Sequence, residues 1–250
     1  MIEERTYGAF LFFIFLRYFV VTGFAFLIFY IIFKKNFIKV KIQKLFPKRK
    51  DYQREIKYSL LTMIIFSFYA ILVFRSPLSE YTLIYRDFTD FNILYFFFSV
   101  IAAIILHDTY FYWTHRLMHH KKLFKYFHLV HHKSTNPSPW AAYSFHPLEA
   151  VVEGGIIVVV TMILPIHPIA IGLFLLFMIT FNVYGHLGFE IFPKWLLKTK
   201  FGAVFNTSTN HNMHHHYFKG NYGLYFRFWD DIMGTMHPKY DETLKELKDL

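Results

Sequence analysis

His107-Asp108-Thr109-Tyr110-Phe111-Tyr112-Trp113-Thr114-His115-Arg116-Leu117-Met118-His119-His120 follows directly on the uncharged apolar run 91–106. The run reads as a membrane helix that carries on into a histidine-bearing segment. There His115 and His119 stand at i and i+4 on one face, where two imidazoles can share a metal. Two further boxes use a related spacing. In His128-Leu129-Val130-His131-His132 the first histidine pairs with the last two on one helical face, and His211-Asn212-Met213-His214-His215 repeats the pattern. Of the 15 histidines, 11 fall in the blocks 107–132 and 211–216, and two H-x-x-H-H boxes in one chain far exceed chance.

The surrounding sequence is that of a bilayer protein. Hydrophobic residues make up 55% of the 250 and aromatic residues 22%, above the roughly 45–50% apolar usage of soluble domains. Cysteine is absent, which excludes a disulfide framework, cysteine-ligated zinc, an iron-sulfur cluster and a cysteine nucleophile. Run 10–33, broken only by Arg17, Tyr18, Thr22 and Gly23, is longer than a signal-peptide core and predicts a first membrane helix. Arg17 is costly at mid-bilayer and is expected to face protein or to snorkel. Runs 58–74 and 91–106 predict helices two and three. The uncharged stretch 154–185, interrupted by Pro165, His167 and Pro168, reads as a helical hairpin. Its first arm, 148–164, contains Glu149 and Glu153 and is only just long enough to cross about 30 Å. The fold class is therefore all-α and integral to the membrane, with about four spanning helices and one structural domain.

Charge is unevenly spread. Residues 34–54 hold nine lysines and arginines against Asp51, so +8 of the net +10 sits in one loop between two apolar runs. Such a loop marks the cytoplasmic face and attracts anionic headgroups, whereas nucleic-acid binding needs a basic face on a folded module. With that loop inside, helix three returns to the cytoplasm, the hairpin dips and comes back, and all three boxes meet on one side. The tail from Asp241 to Leu250 reads as a solvated amphipathic helix or a frayed end.

One zinc takes three or four protein ligands, whereas the three boxes offer eight imidazoles, so two metals are the economical reading. Imidazole alone does not choose the metal. A site at the membrane edge, beside an aromatic interior suited to a lipid, favours iron, because inert C–H bonds need activated oxygen. At these residues the chain resembles the fatty acid hydroxylase and sterol desaturase superfamily of membrane, histidine-box, non-haem di-iron oxygenases. His107-Asp108, His115-Arg116, Phe145-His146-Pro147, Asn221-Tyr222-Gly223 and Trp229-Asp230 look most like its sterol C-5 desaturase branch. The resemblance covers about 90–237, leaving 1–89 as N-terminal membrane helices with the basic loop and 238–250 as a polar tail.

The resemblance implies two irons, O2 as co-substrate, a cytoplasmic helical cap over four membrane helices, and a sterol-like or acyl lipid that is desaturated or hydroxylated. It also implies that His186 joins His115, His119, His128, His131, His132, His211, His214 and His215 as a ligand. Where some members carry another histidine four residues before that one, this chain has Asn182, and His107, His120 or His216 are the candidate substitutes. His107, Asp108, His146, Glu149, Asn182 and Asp230, with Glu153 and Asp231, are candidates for supporting the ligands through hydrogen bonds. His167 and His237 read as structural or solvated. No G-x-G-x-x-G occurs and the stretch after His216 is too short for a haem or flavin domain, so a separate cytochrome b-type or ferredoxin-like electron carrier is expected. Metal transport and a membrane zinc hydrolase are the alternatives; the first would string histidines along a mid-membrane path, and the second lacks H-E-x-x-H.

Overall fold

The computed structural model describes residues 2–248, with side chains from residue 7. In chain order its α-helices are α1 (Ile2–Phe26, continued as a π-helix over Leu27–Ile32), α2 (Lys34–Phe37), α3 (Arg49–Arg75), α4 (Ile93–Met118), α5 (Phe124–Phe127), α6 (Leu129–His132), α7 (Pro147–Gly154), α8 (Ile156–Ile163), α9 (Pro168–Gly185), α10 (Lys194–Leu197), α11 (Ser208–Tyr217), α12 (Phe228–Ile232) and α13 (Tyr240–Lys248). Among the described residues no strand forms, only isolated bridges. Four helices are long and apolar enough to cross a membrane: Tyr7–Ile32, Arg49–Arg75, Ile93–Met118 and Pro168–Gly185.

The bundle is apolar on its outside. Leu94, Phe97, Phe98, Ile101 and Ile105 of α4, and Phe12, Phe13, Leu16, Val20 and Phe24 of α1, are exposed. A water-soluble protein does not leave so continuous an apolar surface, whereas lipid tails solvate it at no cost. Inside, Val73, Phe96, Ile156, Val160 and Phe174 pack away from the three histidine boxes. Tyr18, Met63, Tyr143, Phe145, Met178 and Ile179 pack nearer to them.

Side-chain caps set the helix starts. Asn92 accepts from the Tyr95 amide at the head of α4, and Thr207 from the Asn210 amide at the head of α11. His146 and His167 play the same part for α7 and α9, each accepting from the amide two residues on, with a proline behind it. The first arm of the hairpin breaks into two eight-residue helices. At the break Tyr69 and Tyr110 donate to the carbonyls of Val151 and Val152. A Cβ on Gly154 would lie 2.5 Å from the Tyr69 ring, so only glycine fits there. Two helices of about 12 Å each do not cross the apolar layer, and the count of spanning helices is four.

The basic segment is more than a lipid anchor. Gln43 donates to the Thr135 carbonyl and to Asn212, Arg54 to the Lys133 carbonyl and Ser134, and Lys41 is buried against Phe46 and Phe189. It lies as a strap over the loop after the second box and over the third-box helix. The polar tail is likewise packed: α13 buries Tyr240 and Leu244 against Met213 of α11, and the Tyr240 hydroxyl pairs with Thr207. Asp249 and Leu250 lie outside the described residues.

Candidate metal centre

Each histidine owes its position to a different local device. His115 occupies the last turn of α4 and His119 is its C-cap. His128 precedes the four-residue helix α6, which carries His131 and His132, so the second box sits on a single turn and not on a long helix. His186 is the C-cap of α9, and α11 carries His211, His214 and His215.

These nine side chains form two neighbouring groups. His115, His119, His128, His132 and His214 make one, and His131, His186, His211 and His215 the other, with ligand atoms in each group within 4.8 Å of one another. In the first, Nε2 of His115 is 2.9 Å from that of His128, and Nε2 of His132 is 3.1 Å from that of His119 and 3.0 Å from that of His214. In the second, His186 Nε2 lies 3.2, 3.1 and 3.1 Å from those of His131, His211 and His215. The rings of His132 and His215, one from each group, are 4.9 Å apart. In each box the residues at i and i+4 share a group, and in the second and third boxes the i+3 residues His131 and His214 cross to the other.

The opposite ring nitrogens fix the tautomers. His115 Nδ1 faces the Tyr222 carbonyl at 2.8 Å, His214 the Gly220 carbonyl at 2.7 Å, His186 the Asn182 carbonyl at 2.8 Å, and His131 the Ser144 carbonyl at 3.4 Å. His128 Nδ1 is 2.6 Å from Glu149 Oε1. Oxygens of this kind accept, so Nδ1 carries the proton and Nε2 holds a lone pair. Burial holds the imidazoles neutral: His186 and His214 are pulled down to about 4, and His128, His131, His132, His211 and His215 fall well below the usual range, burial first and neighbouring histidines second.

Lone pairs converging at about 3 Å repel one another unless a cation lies among them. A metal–nitrogen bond of about 2.1 Å puts adjacent nitrogens about 3.0 Å apart at a right angle and about 3.4 Å apart at the tetrahedral angle. The observed 2.9–3.2 Å fits that range, so the donor set suits two transition-metal ions.

The acidic candidates divide by role. Glu149, 1% exposed, is the one that touches a clustered histidine. Asp108 accepts from the Tyr225 and Phe226 amides, and Asp230 from the Tyr222 and Gly223 amides and the Thr235 hydroxyl. Together they clamp the 220–226 loop, which passes Gly220 and Tyr222 carbonyls to His214 and His115. Asp231 pairs with Arg227 at the surface, and Glu153 faces a cavity instead of the histidines. His107 bonds the Tyr225 hydroxyl at 2.8 Å and stays outside both groups, as do His120 and His216, so none of the three substitutes reaches them. His146 serves as a helix cap. Asn182 contributes its carbonyl. The carbonyls of Ser144, Asn182, Gly220 and Tyr222 escaped sequence reasoning because backbone oxygens leave no mark in residue type.

No solved structure matches this chain. Among curated proteins it is 30% identical over 194 residues to lathosterol oxidase of Rattus norvegicus, covering 76% of this chain and 63% of that one. It is 28% identical over 187 residues to a Delta(7)-sterol 5(6)-desaturase of Gibberella zeae, covering 75% and 56%. With methylsterol monooxygenase 1 of Rattus norvegicus it shares 30% identity over 221 residues, covering 84% and 71%. The chain thus spans about three-fifths of the length of the first of these relatives. The fatty acid hydroxylase family model matches residues 100–235, a stretch that holds every clustered histidine together with Glu149, Asp108 and Asp230. The chain belongs to the fatty acid hydroxylase family.

Proposed function

We propose that this chain is a membrane-bound, O2-dependent lipid oxidase that desaturates or hydroxylates a sterol-like or acyl C–H bond, with two non-haem irons as its centre. The observation that carries the reading is the sorting of nine imidazoles, eight of them buried and His119 half-buried, into two adjoining groups whose lone pairs converge. His115, His119, His128, His132 and His214 would hold one iron, and His131, His186, His211 and His215 the other, within a catalytic region spanning 90–237. Bound iron supplies the redox chemistry that activates oxygen toward an inert C–H bond.

The protein's own part is positioning. Glu149 orients His128 through its Nδ1 proton, and the Tyr222, Gly220, Asn182 and Ser144 carbonyls fix the tautomers of His115, His214, His186 and His131. The apolar helices exclude water. By the positive-inside rule the basic strap marks the cytoplasmic face, and a separate cytochrome b-type or ferredoxin-like carrier would deliver electrons there. The histidines gather at one end of the bundle, which weighs against a transport path through the membrane. Metal analysis combined with turnover of a sterol under controlled oxygen tests the reading. Two irons per chain and strictly O2-dependent product are expected. One zinc, no iron and turnover indifferent to oxygen would overturn it.

A further inference from the structure

Three oxidisable side chains lead from the first histidine group to the protein surface. The Tyr222 ring lies 5.7, 5.1 and 5.6 Å from those of His115, His119 and His214. Tyr112, fully buried, is 6.3 Å from Tyr222 and 5.4 Å from Trp113, and Trp229 packs against Tyr112 at 5.9 Å and Trp113 at 5.5 Å. Trp113 is 43% exposed on the outer stripe of α4 that Ile101 and Ile105 begin. Phenylalanine outnumbers tyrosine and tryptophan in this chain, 33 against 18 and 4, yet none interrupts this line. The second histidine group is bordered instead by Phe145, 5.2 Å from His131. Phenol and indole give up an electron to a strong oxidant far more readily than a phenyl ring does. Neither accepts one from a mild reductant, so such a line passes oxidising equivalents outward and not reducing electrons inward. The phenol proton of Tyr112 also has a route. Thr235 donates to Asp230 at 2.7 Å, and Arg116 donates to the Tyr112 oxygen at 3.2 Å. The 2.9 Å contact between Tyr112 and Thr235 is therefore made by the phenol proton, which points along Thr235 toward Asp230.

We propose that Tyr222, Tyr112 and Trp113 form a relay that drains an unspent oxidising equivalent from the metal centre to the surface. The proposal rests on the O2-dependent oxidase reading above and adds a protective function to it. When O2 is reduced with no lipid in place, the oxidant left behind attacks the nearest histidines. Tyr222, half-buried, supplies one electron to it and releases its proton to water. Tyr112 refills Tyr222, which takes a proton back, while the Tyr112 proton moves onto Thr235 and the Thr235 proton onto Asp230. Trp113 refills Tyr112, and both protons return. A one-electron reductant at the surface, such as ascorbate, restores Trp113. The sum is one electron passed from that reductant to the oxidant, with every relay residue left as it began.

The chain has no cysteine, so Leu117→Cys, exposed one turn after Trp113, sets a single ruthenium photo-oxidant beside the outer end of the relay. The full chain in nanodiscs is loaded with zinc, which has no redox chemistry, and a flash oxidises the neighbouring indole. The tryptophan radical absorbance should give way to that of a tyrosyl radical, more slowly in D2O because the phenol proton moves with the electron. Tyr112→Phe and the half-exposed Trp113→Phe should each cut the tyrosyl yield about tenfold, with zinc content as in the wild type, whereas Trp195→Phe in α10 should leave it unchanged. In a second arm the iron-loaded protein is cycled with O2 and a reductant in the absence of substrate, and oxidised side chains are read by mass spectrometry. Oxidation should collect on Trp113, fall when ascorbate is added, and move to Tyr222 and the clustered histidines in Tyr112→Phe. A tyrosyl yield indifferent to Tyr112→Phe and Trp113→Phe, or oxidation that spares Trp113 while the histidines are damaged, overturns the relay. Radical transfer in the zinc protein with no O2-driven oxidation or turnover in the iron-loaded one sinks the oxidase reading alone. An active, iron-loaded protein whose zinc form shows no transfer sinks only the relay.

Discussion

Replacing Glu149 by glutamine tests the metal centre most directly. The carboxylate accepts from His128 Nδ1 at 2.6 Å, and its other oxygen has no partner among the described residues. Burial and the neighbouring Glu153 push the Glu149 carboxyl well above the usual range, and a cation held among the imidazoles restores the ionised form, which as an acceptor is worth about 1.5–3 kcal/mol against about half of that for a neutral amide oxygen. The exchange should therefore cost about 1.4 kcal/mol, a tenfold loss of affinity at the one metal that His128 would hold. Glu149→Ala leaves a buried N–H without an acceptor and should approach a hundredfold. The assay is metal content by mass spectrometry during titration with a chelator. The wild type should hold two metals until high chelator, whereas Glu149→Gln should pass through a plateau at one, because His131, His186, His211 and His215 have no contact with Glu149. Were the acid neutral in the protein, the amide would replace it without effect. A curve superimposing on the wild type, or loss of both metals together, refutes the reasoning.

Adjacent residues should behave as members of different sites: His132→Ala should spare the second metal and His131→Ala the first, and loss of the same metal in both contradicts the partition. Acidification of the metal-free protein should leave its melting temperature unchanged above about pH 6.5 and lower it as the pH falls toward 4. Unfolded imidazoles take up protons near 6.5, whereas burial keeps His186 and His214 unprotonated down to about 4, so the unfolded chain binds more protons in that window. A flat melting temperature from pH 7 to 4.5 refutes this. A Cβ on Gly223 would stand 2.5 Å from the Phe226 carbonyl oxygen and 3.0 Å from Asp230 Oδ2. Gly223→Ala should cost about 1–3 kcal/mol by overpacking and loosen the metal held by His115 and His214, read by thermal melting and metal retention; wild-type values in both would show that the loop does not position those rings.

Composition and period were enough for the membrane class, three of the four spans, the hairpin and the eight histidines of the three boxes, whereas His186 entered through the resemblance to the family. The basic segment also placed the end of the bundle where they meet. Which imidazole belongs with which followed from the docking of the helices. Along a helix the i+3 and i+4 positions sit about 100° apart, so His131 and His132, or His214 and His215, face different neighbours once α6 and α11 are docked. The same docking made the basic segment a strap and left Glu153 beside a cavity although Glu149, one turn away, meets a ring. The carbonyls that fix the tautomers come from loops whose residue types carry no mark of the task, since every residue has the same backbone oxygen and its aim depends on where the chain turns.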